Sequence, residues 1–204
     1  MPIADADLTA AARIRNAALE LFARDGVAAT SIRDVASAAG VSPGLVQHHF
    51  KTKTDLEQAV NDYVLRIGLE ASEGLEKSTA EAHTEELFTE MGERITSLVR
   101  EHRSALLYVI RSAAQGERAG LEIFDAFLAL VDQHVERLSE DGTLRQDVDR
   151  LWAGLQIVIL DLGTVLLEPA IERHLPGSMR DPDQLERWRK ACTELLSRGF
   201  VAPR

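Results

Sequence analysis

The sequence predicts an all-α protein with a small N-terminal head of three helices and a larger helical body. Apolar residues recur at helical spacing along most of the 204-residue chain. Capping signals and glycine stops divide the first sixty residues into short helices. No stretch alternates apolar and polar residues as a half-buried strand does, and no Asn-Gly pair marks a hairpin. We place the domain boundary after residue 54, which gives a head of 1–54 and a body of 55–204.

The first helix is predicted over residues 9–24, after eight residues that we expect to fray. Four apolar residues lie on one stripe of this helix at positions i, i+4, i+7 and i+8, where they would face the rest of the head. These are Ile14, Ala18, Leu21 and Phe22. The pair Asp25-Gly26 then ends the helix.

Two short helices joined by a tight turn are predicted in the next stretch. Ser31 and Asp34 have the spacing of a capping box, in which each side chain satisfies a backbone amide at the helix start. Gly40 suits the turn, because a residue without Cβ adopts a left-handed conformation at little cost. Ser42 caps the second helix, and Pro43 takes its first position, where a missing N–H costs nothing.

This arrangement is a helix-turn-helix, which places its second helix in a DNA major groove. The alternative is an ordinary corner between two helices. The pattern S-I-R-D-V-A-x-x-A-G-V-S-x-G-x-x-x-x-H-F-K-x-K-x-x-L favours DNA binding, because it resembles the DNA-binding head of the tetracycline-repressor (TetR) family of bacterial regulators. The match runs from about Ile14 to Leu56. It departs at Gln47, where the family commonly has a tyrosine beside the DNA backbone.

Ten residues of the head are expected to face DNA. Hydroxyls, lysines and helix N-termini usually hold phosphates, whereas amides and guanidinium groups can also read base edges. Gln47 could read adenine, and Arg33 could pair with guanine or with a phosphate. We expect His49 to lie in the core. The full set is Thr30, Ser31, Arg33, Ser42, Pro43, Gly44, Gln47, His48, Lys51 and Lys53.

The formal net charge of −10 is unusual for a DNA-binding protein, but it is unevenly distributed. Residues 1–60 hold six basic and seven acidic residues, whereas the remainder holds 17 basic and 26 acidic residues. Between Thr30 and Thr54 there are three basic residues and one acid. We therefore expect weak non-specific DNA affinity, and strong salt dependence where phosphates are contacted.

The composition favours a cytoplasmic protein without metal, cofactor or membrane association. The one cysteine, Cys192, excludes a disulfide or cysteine-metal site within the chain and fits a reducing compartment. The N-terminus lacks a signal pattern, and the apolar run 155–167 is too short for a bilayer. No phosphate loop or nucleophile elbow is present in the sequence. We therefore do not expect an enzyme.

The body is predicted to contain a series of amphipathic helices. The first, at about 53–77, links the head to the body, and a polar turn follows at 78–84. The helix at 149–173 is apolar on nearly every side between Leu155 and Leu167 and should end or kink near Pro169. The others are expected around 87–98, 104–115, 120–140 and 184–199, with the phrase G-T-L-R-Q-D-V-D as a loop before the last two.

The last two helices are expected to form a homodimer interface as a four-helix bundle. The resemblance implies this use, and the apolar surplus of residues 149–173 suggests a partner. A two-fold axis would bring the same patch from each subunit together. The dimer residues proposed from the sequence are Leu155, Val158, Leu162, Leu166, Trp188 and Leu195.

The sequence is compatible with three hypotheses for the function of the body. The body can sense a small, largely apolar ligand that releases a repressor from a palindromic operator, as the resemblance implies. It can be a dimerisation and protein-interaction module without an inducer, or a helical enzyme, for which the sequence shows no catalytic constellation. Calorimetry against candidate ligands would separate the first two readings.

Asp161 is the residue that tests the ligand hypothesis, because nearly all its neighbours in the sequence are apolar. A buried carboxylate is costly unless it is paired. Its partner could be Arg111, a residue of the other subunit, or a ligand. The ligand reading predicts a mostly apolar pocket. Its lining would be Leu106, Ile110, Phe124, Phe127, Ile157, Asp161 and Val165.

Overall fold

The computed structural model describes residues 9–78, 84–140 and 142–201. Regular structure in these ranges is helical, apart from one antiparallel bridge between Leu144 and Val201. The all-α prediction is therefore confirmed. The predicted frayed segment 1–8 and residues 79–83 of the predicted turn lie outside the described residues.

Four helices make up the N-terminal part of the described chain. They are α1 (Ala10–Asp25), α2 (Ile32–Ala38), α3 (Pro43–His49) and α4 (Lys53–Ser78). The side chain of Thr9 accepts a hydrogen bond at the start of α1. The capping box of Ser31 and Asp34 is formed, and Ser42 accepts from Leu45 N at 3.2 Å. The capping signals therefore predicted the starts of these short helices correctly.

The remaining helices agree with the predicted ones to within a few residues, except at the end of the apolar helix. They are α5 (Thr84–Glu101), α6 (Arg103–Ala114), α7 (Arg118–Glu140), α8 (Arg150–Leu166), α9 (Glu168–Ile171) with a 3-10 turn (Glu172–His174), and α10 (Pro182–Phe200). Pro169 lies in the first turn of α9, because proline cannot donate an interior helical hydrogen bond. The direction changes by 68° between α8 and the following short helices.

None of the described helices is by itself long and apolar enough to cross a bilayer. The α8 segment and the segment 168–174 satisfy the length and composition only as a bent pair.

The chain divides into two compact units by its internal contacts. The first compact unit contains the residues up to Ile67 together with Ser104–Phe124. The second compact unit contains Gly68–Arg103 and the residues from Asp125 onward. This division differs from the predicted boundary after residue 54, since the first half of α4 and all but the first residue of α6 belong to the same unit as the head. The functional boundary itself stays a prediction.

The core of the first compact unit is formed by the residues that the helical spacing singles out. Ile14, Ala18 and Phe22 are buried, as is Val46 of α3. The helix α6 joins this core through Tyr108, whose hydroxyl donates to Asn61 Oδ1 at 2.7 Å. The three helices α1, α2 and α3 contact one another, so the position of α3 is held by packing and by its caps.

The second compact unit has a core beneath the loop that precedes α8. Buried residues from α7, from this loop and from α8 pack together with partly buried residues of α10. Arg145 N donates to Phe200 O at 2.9 Å, which ties the loop to the end of α10. The buried members are Val135, Leu138, Leu144, Ala153 and Ile157.

A buried carboxylate at the start of α9 is neutralised within the same unit. Glu168 is 4% exposed and forms ion pairs with Arg103 and with Arg180, the latter at 3.0 Å. Arg103 is three-quarters buried at the start of α6, whereas Arg180 is largely exposed. The two guanidinium groups offset the cost of burying this charge.

Candidate nucleic-acid interface and effector cavity

The helix-turn-helix is held in shape by local interactions. Gly40 has a φ of 64°, so the turn uses the left-handed conformation expected of glycine. Val41 N donates to Ala36 O at 2.9 Å across the turn. Hydrogen bonds from Ser31 lower the pKa of the Asp34 carboxyl, so this acid stays ionised as part of the cap. Val46 is fully buried and fixes which side of α3 turns outward.

Eight of the ten residues predicted to face DNA are exposed around α2 and α3. They are Ser31, Arg33, Ser42, Pro43, Gly44, Gln47, His48 and Lys51. Gln47 and His48 lie on the outer side of α3, opposite Val46. The hydroxyl of Ser42 and the amides around it lie at the start of α3, where a phosphate would be favoured. The structure therefore brings these side chains together on one surface.

Three head residues have a different environment from the one that the sequence suggested. Thr30 is 4% exposed and its hydroxyl donates to Gly26 O at 2.9 Å, so it is a structural residue of the turn. Lys53 is partly buried and its ammonium donates to Ala28 O at 3.3 Å. The expectation that His49 lies in the core is wrong, because its side chain is exposed at the end of α3.

A small cavity lies between α5, α8 and α10 in the second compact unit. Its volume is about 20 Å³, or about 350 Å³ when the adjoining open solvent is included. This cavity volume is large enough for one water molecule. The lining is mostly apolar, with Asp161 as its acidic group. The residues that line it are Gly92, Ile95, Ile157, Asp161, Trp188, Arg189, Cys192, Thr193 and Leu196.

Asp161 and Cys192 share this apolar environment. Burial raises the pKa of the Asp161 carboxyl to about 7. Burial, with a smaller effect of the Asp161 charge, raises the pKa of the Cys192 thiol to about 11. Within the described residues, Asp161 forms no hydrogen bond or ion pair. The predicted partner Arg111 instead donates to Arg24 O at 2.6 Å, so that pairing is not formed.

Only two of the seven predicted ligand residues line this cavity, namely Ile157 and Asp161. Leu106, Ile110 and Phe124 belong to the first compact unit, and Val165 is buried. Phe127 packs against α4 at Gly68, where an added Cβ would be 2.3 Å from the Phe127 ring. The stripe Trp188, Cys192 and Leu196, at i, i+4 and i+8 of α10, was the sequence signal for the lining of this cavity. The contribution of α5 through Gly92 and Ile95 had no such signal.

The outward side of α8 carries large apolar side chains. Trp152 is 56% exposed, Ile159 is 53% exposed and Leu166 is 40% exposed, at i, i+7 and i+14. Of the predicted dimer residues, Leu166 belongs to this face, Leu155 is partly buried beside it, and Leu195 of α10 is 62% exposed.

Three predicted dimer residues require correction. Val158 and Leu162 are buried within the second compact unit, and Trp188 lines the cavity. The exposed apolar face of α8 therefore includes Trp152 and Ile159, and the sequence analysis did not predict these two residues for the interface. The cause is that α8 is apolar on nearly every side, so its periodicity does not indicate which side is covered.

No group of three or more metal-ligating side chains occurs in the described part of the chain.

Comparison with known proteins identifies the head. The family model for bacterial regulatory proteins of the tetR family matches residues 14–60. The regulatory protein RaaS of Mycobacterium tuberculosis is 30% identical over 144 residues, which cover 71% of this chain and 64% of RaaS. The transcriptional repressor KstR2 of Mycolicibacterium smegmatis is 32% identical over 146 residues, covering 65% of this chain and 66% of KstR2. The chain thus spans about two thirds of each relative.

The fold agrees over almost the whole chain. A transcriptional regulator from Saccharomonospora viridis, solved in complex with choline, superimposes with a TM-score of 0.70 at 18% identity. The superposition covers 95% of this chain and 98% of that one. Because the helix-turn-helix, the family model and the complete fold agree, the chain belongs to the TetR family of bacterial transcriptional regulators.

Proposed function

We propose that the protein is a cytoplasmic repressor that binds a palindromic operator as a homodimer and is released by a small ligand. The observation that carries the proposal is the exposed surface of α2 and α3, with Gln47 and His48 outward on a helix of the right size for the major groove. The relative KstR2 is named a repressor, which supports the sign of regulation.

Among the exposed residues around α2 and α3, we expect some to position the protein by contacting phosphates and others to read base edges. Lys51 carries a positive charge at the end of α3 and is assigned to a phosphate. Gln47 can hydrogen-bond a base edge through its amide. Operators can be isolated by selection from random duplexes, with half-sites expected about 34–36 Å apart or at a multiple of that spacing.

Two substitutions distinguish these roles. Lys51→Ala should weaken binding similarly for all sequences and reduce the salt slope by about one unit, as expected for one phosphate contact. Gln47→Ala should instead change the selected sequence. Arg118→Ala, which removes an exposed cation of α7, is the matched charge control. Unchanged sequence preference in Gln47→Ala would remove that residue from base recognition.

The homodimer is proposed to form through the outward face of α8 together with Leu195 of α10. Large apolar side chains at this exposure mark an interaction surface. Ile159→Asp should produce monomers in sedimentation velocity, because a two-fold interface places the charge in the contact twice. Leu121→Asp is the control, since Leu121 is an exposed leucine of α7 outside this face. An intact dimer in Ile159→Asp would place the interface elsewhere.

The effector is proposed to enter at the cavity between α5, α8 and α10. Choline bound to the Saccharomonospora viridis regulator supports a small-molecule effector for this fold. Ligand pockets usually measure about 300–1,000 Å³, so a complete ligand must extend beyond the 20 Å³ cavity into the adjoining open space. The ligand can release DNA only if it binds the DNA-incompetent conformation more tightly. A panel of ligands that neither binds nor weakens operator affinity would favour the protein-interaction reading.

A further inference from the structure

The cavity beside Asp161 combines three properties that together specify a ligand group. Its volume of about 20 Å³ suits one water-sized group, its walls are mostly apolar, and it is lined by a carboxyl without a partner among the described residues. A carboxylate in such surroundings is stabilised by a small cation with several hydrogen-bond donors. A primary ammonium group has three donors and about the size of a water molecule.

We propose that this cavity binds the terminal ammonium of a primary alkylamine beside Asp161, with the alkyl chain extending into the adjoining open space. The proposal names a ligand class for the effector site and rests on the proposed function only for its regulatory consequence. The apolar residues Ile95, Ile157 and Leu196 would contact the first methylene groups. Trp188 lines the same cavity, and an indole ring adds attraction for a cation that lies against its face.

Arg189 also lines the cavity, but its guanidinium does not neutralise Asp161. Arg189 donates to both carboxylate oxygens of Glu186 at 2.7 Å, so its guanidinium is engaged along α10. Its charge also interacts with Glu93 of α5. Asp161 therefore remains the group that an incoming cation would neutralise.

The size of the cavity sets the selectivity among ligands. A quaternary ammonium such as choline carries three methyl groups on its nitrogen, and this group does not fit a cavity of about 20 Å³. An alcohol of the same length fits, but it lacks the charge that pairs with a carboxylate. We therefore expect hexylamine to bind more tightly than either hexanol or choline, by about tenfold or more for a charge-assisted bond.

The binding of an ammonium should depend on pH, because a proton competes for Asp161. From α10 the ionisable groups that face it are Cys192 and Arg189, whereas α5 contributes the uncharged residues Gly92 and Ile95. The thiol stays protonated and the guanidinium stays charged between pH 6 and 8, so Asp161 alone titrates among them. With its carboxyl half-ionised near pH 7, affinity for hexylamine should fall about tenfold from pH 8 to pH 6.

The test is isothermal titration of the full-length protein with hexylamine, hexanol and choline at pH 8 and pH 6. Asp161→Asn should lower hexylamine affinity at least tenfold and abolish its pH dependence, while circular dichroism confirms the fold. Cys192→Ser is the matched cavity control and should retain both properties. Equal affinity for hexylamine and hexanol, or tight pH-independent binding to Asp161→Asn, would overturn the proposal and leave water as the occupant of the cavity.

Operator binding measured in the same samples separates this inference from the proposed function. Hexylamine that binds without weakening operator affinity would support the ammonium site and refute its effector role. Hexylamine that fails to bind, while the free protein still binds its operator, would refute the ammonium site and leave the repressor role supported by DNA binding.

Discussion

Replacing Asp161 by asparagine should stabilise the protein at neutral and alkaline pH. The carboxyl has a pKa of about 7 in the folded chain, because burial disfavours its charged form. The pKa of an aspartate in an unfolded chain is about 3.9. A difference of about three pKa units corresponds to a free energy of about 4 kcal/mol. This is an upper figure, since part of the side chain is accessible.

The sign of the pH dependence follows from the order of the two pKa values. Below about pH 4 the carboxyl is protonated in both states and costs little. Between about pH 4 and pH 7 the unfolded chain ionises while the folded chain retains its proton, so the free energy of unfolding falls as pH rises. Above pH 7 the loss is complete. Asparagine does not titrate, so the variant should lack this decrease.

The assay is urea denaturation of both proteins between pH 4.5 and pH 8.5, at two protein concentrations to separate association from folding. The difference in unfolding free energy should grow with pH towards about 4 kcal/mol. Asp125→Asn, which removes an exposed carboxylate of α7, controls for net charge. A difference between Asp161→Asn and the native protein that does not vary with pH would refute the assignment of a desolvated carboxyl.

Three further predictions follow from contacts within the compact units. Arg103→Gln should cost about 1.5–3 kcal/mol in urea denaturation, because it removes a charge-assisted bond to the buried Glu168 while Arg180 still pairs with it, whereas Arg180→Gln should cost less; equal costs would contradict this ranking. Gly68→Ala should lower stability by about 1–3 kcal/mol through its clash with Phe127, and Phe127→Leu should recover most of the loss in the double variant. Alkylation of Cys192 by iodoacetamide at pH 8 should be roughly two-hundred-fold slower than that of an exposed thiol, and Asp161→Asn should accelerate it; a rate typical of a free cysteine would show that the thiol is not buried.

The head could be predicted from the sequence because its structure is determined by local signals. Ser31 with Asp34, Ser42 with Pro43, and Gly40 each act within four residues, so their spacing alone indicates where α2 and α3 begin and where the turn lies. Thr30 and His49 were misplaced for a different reason. Each lies at an end of a helix, where one residue of offset decides between the core and solvent.

The body could be predicted as a set of helices but not as a site. The sequence indicates that α8 is apolar on nearly every side, but only packing determines that Val158 is covered while Ile159 is exposed. The cavity is also lined by α5, through Gly92 and Ile95. An added Cβ there would be 2.9 Å from Arg189, so close approach of α5 and α10 requires glycine. Such contacts between distant segments leave no periodic signal in one sequence.

The contrast between Asp161 and Glu168 is the strongest reason to assign a binding role to the cavity. These acids are seven residues apart in the same compact unit, where Glu168 is buried and Asp161 is partly buried. Glu168 has two arginine partners, so the chain supplies cations where a buried charge serves structure alone. Asp161 has none among the described residues and titrates near neutrality. A leucine at this position would remove the desolvation cost, so the presence of an acid here supports the proposal that a cation enters from outside. Asp161→Leu should therefore gain stability and lose hexylamine binding, and simultaneous loss of both would show that Asp161 is structural.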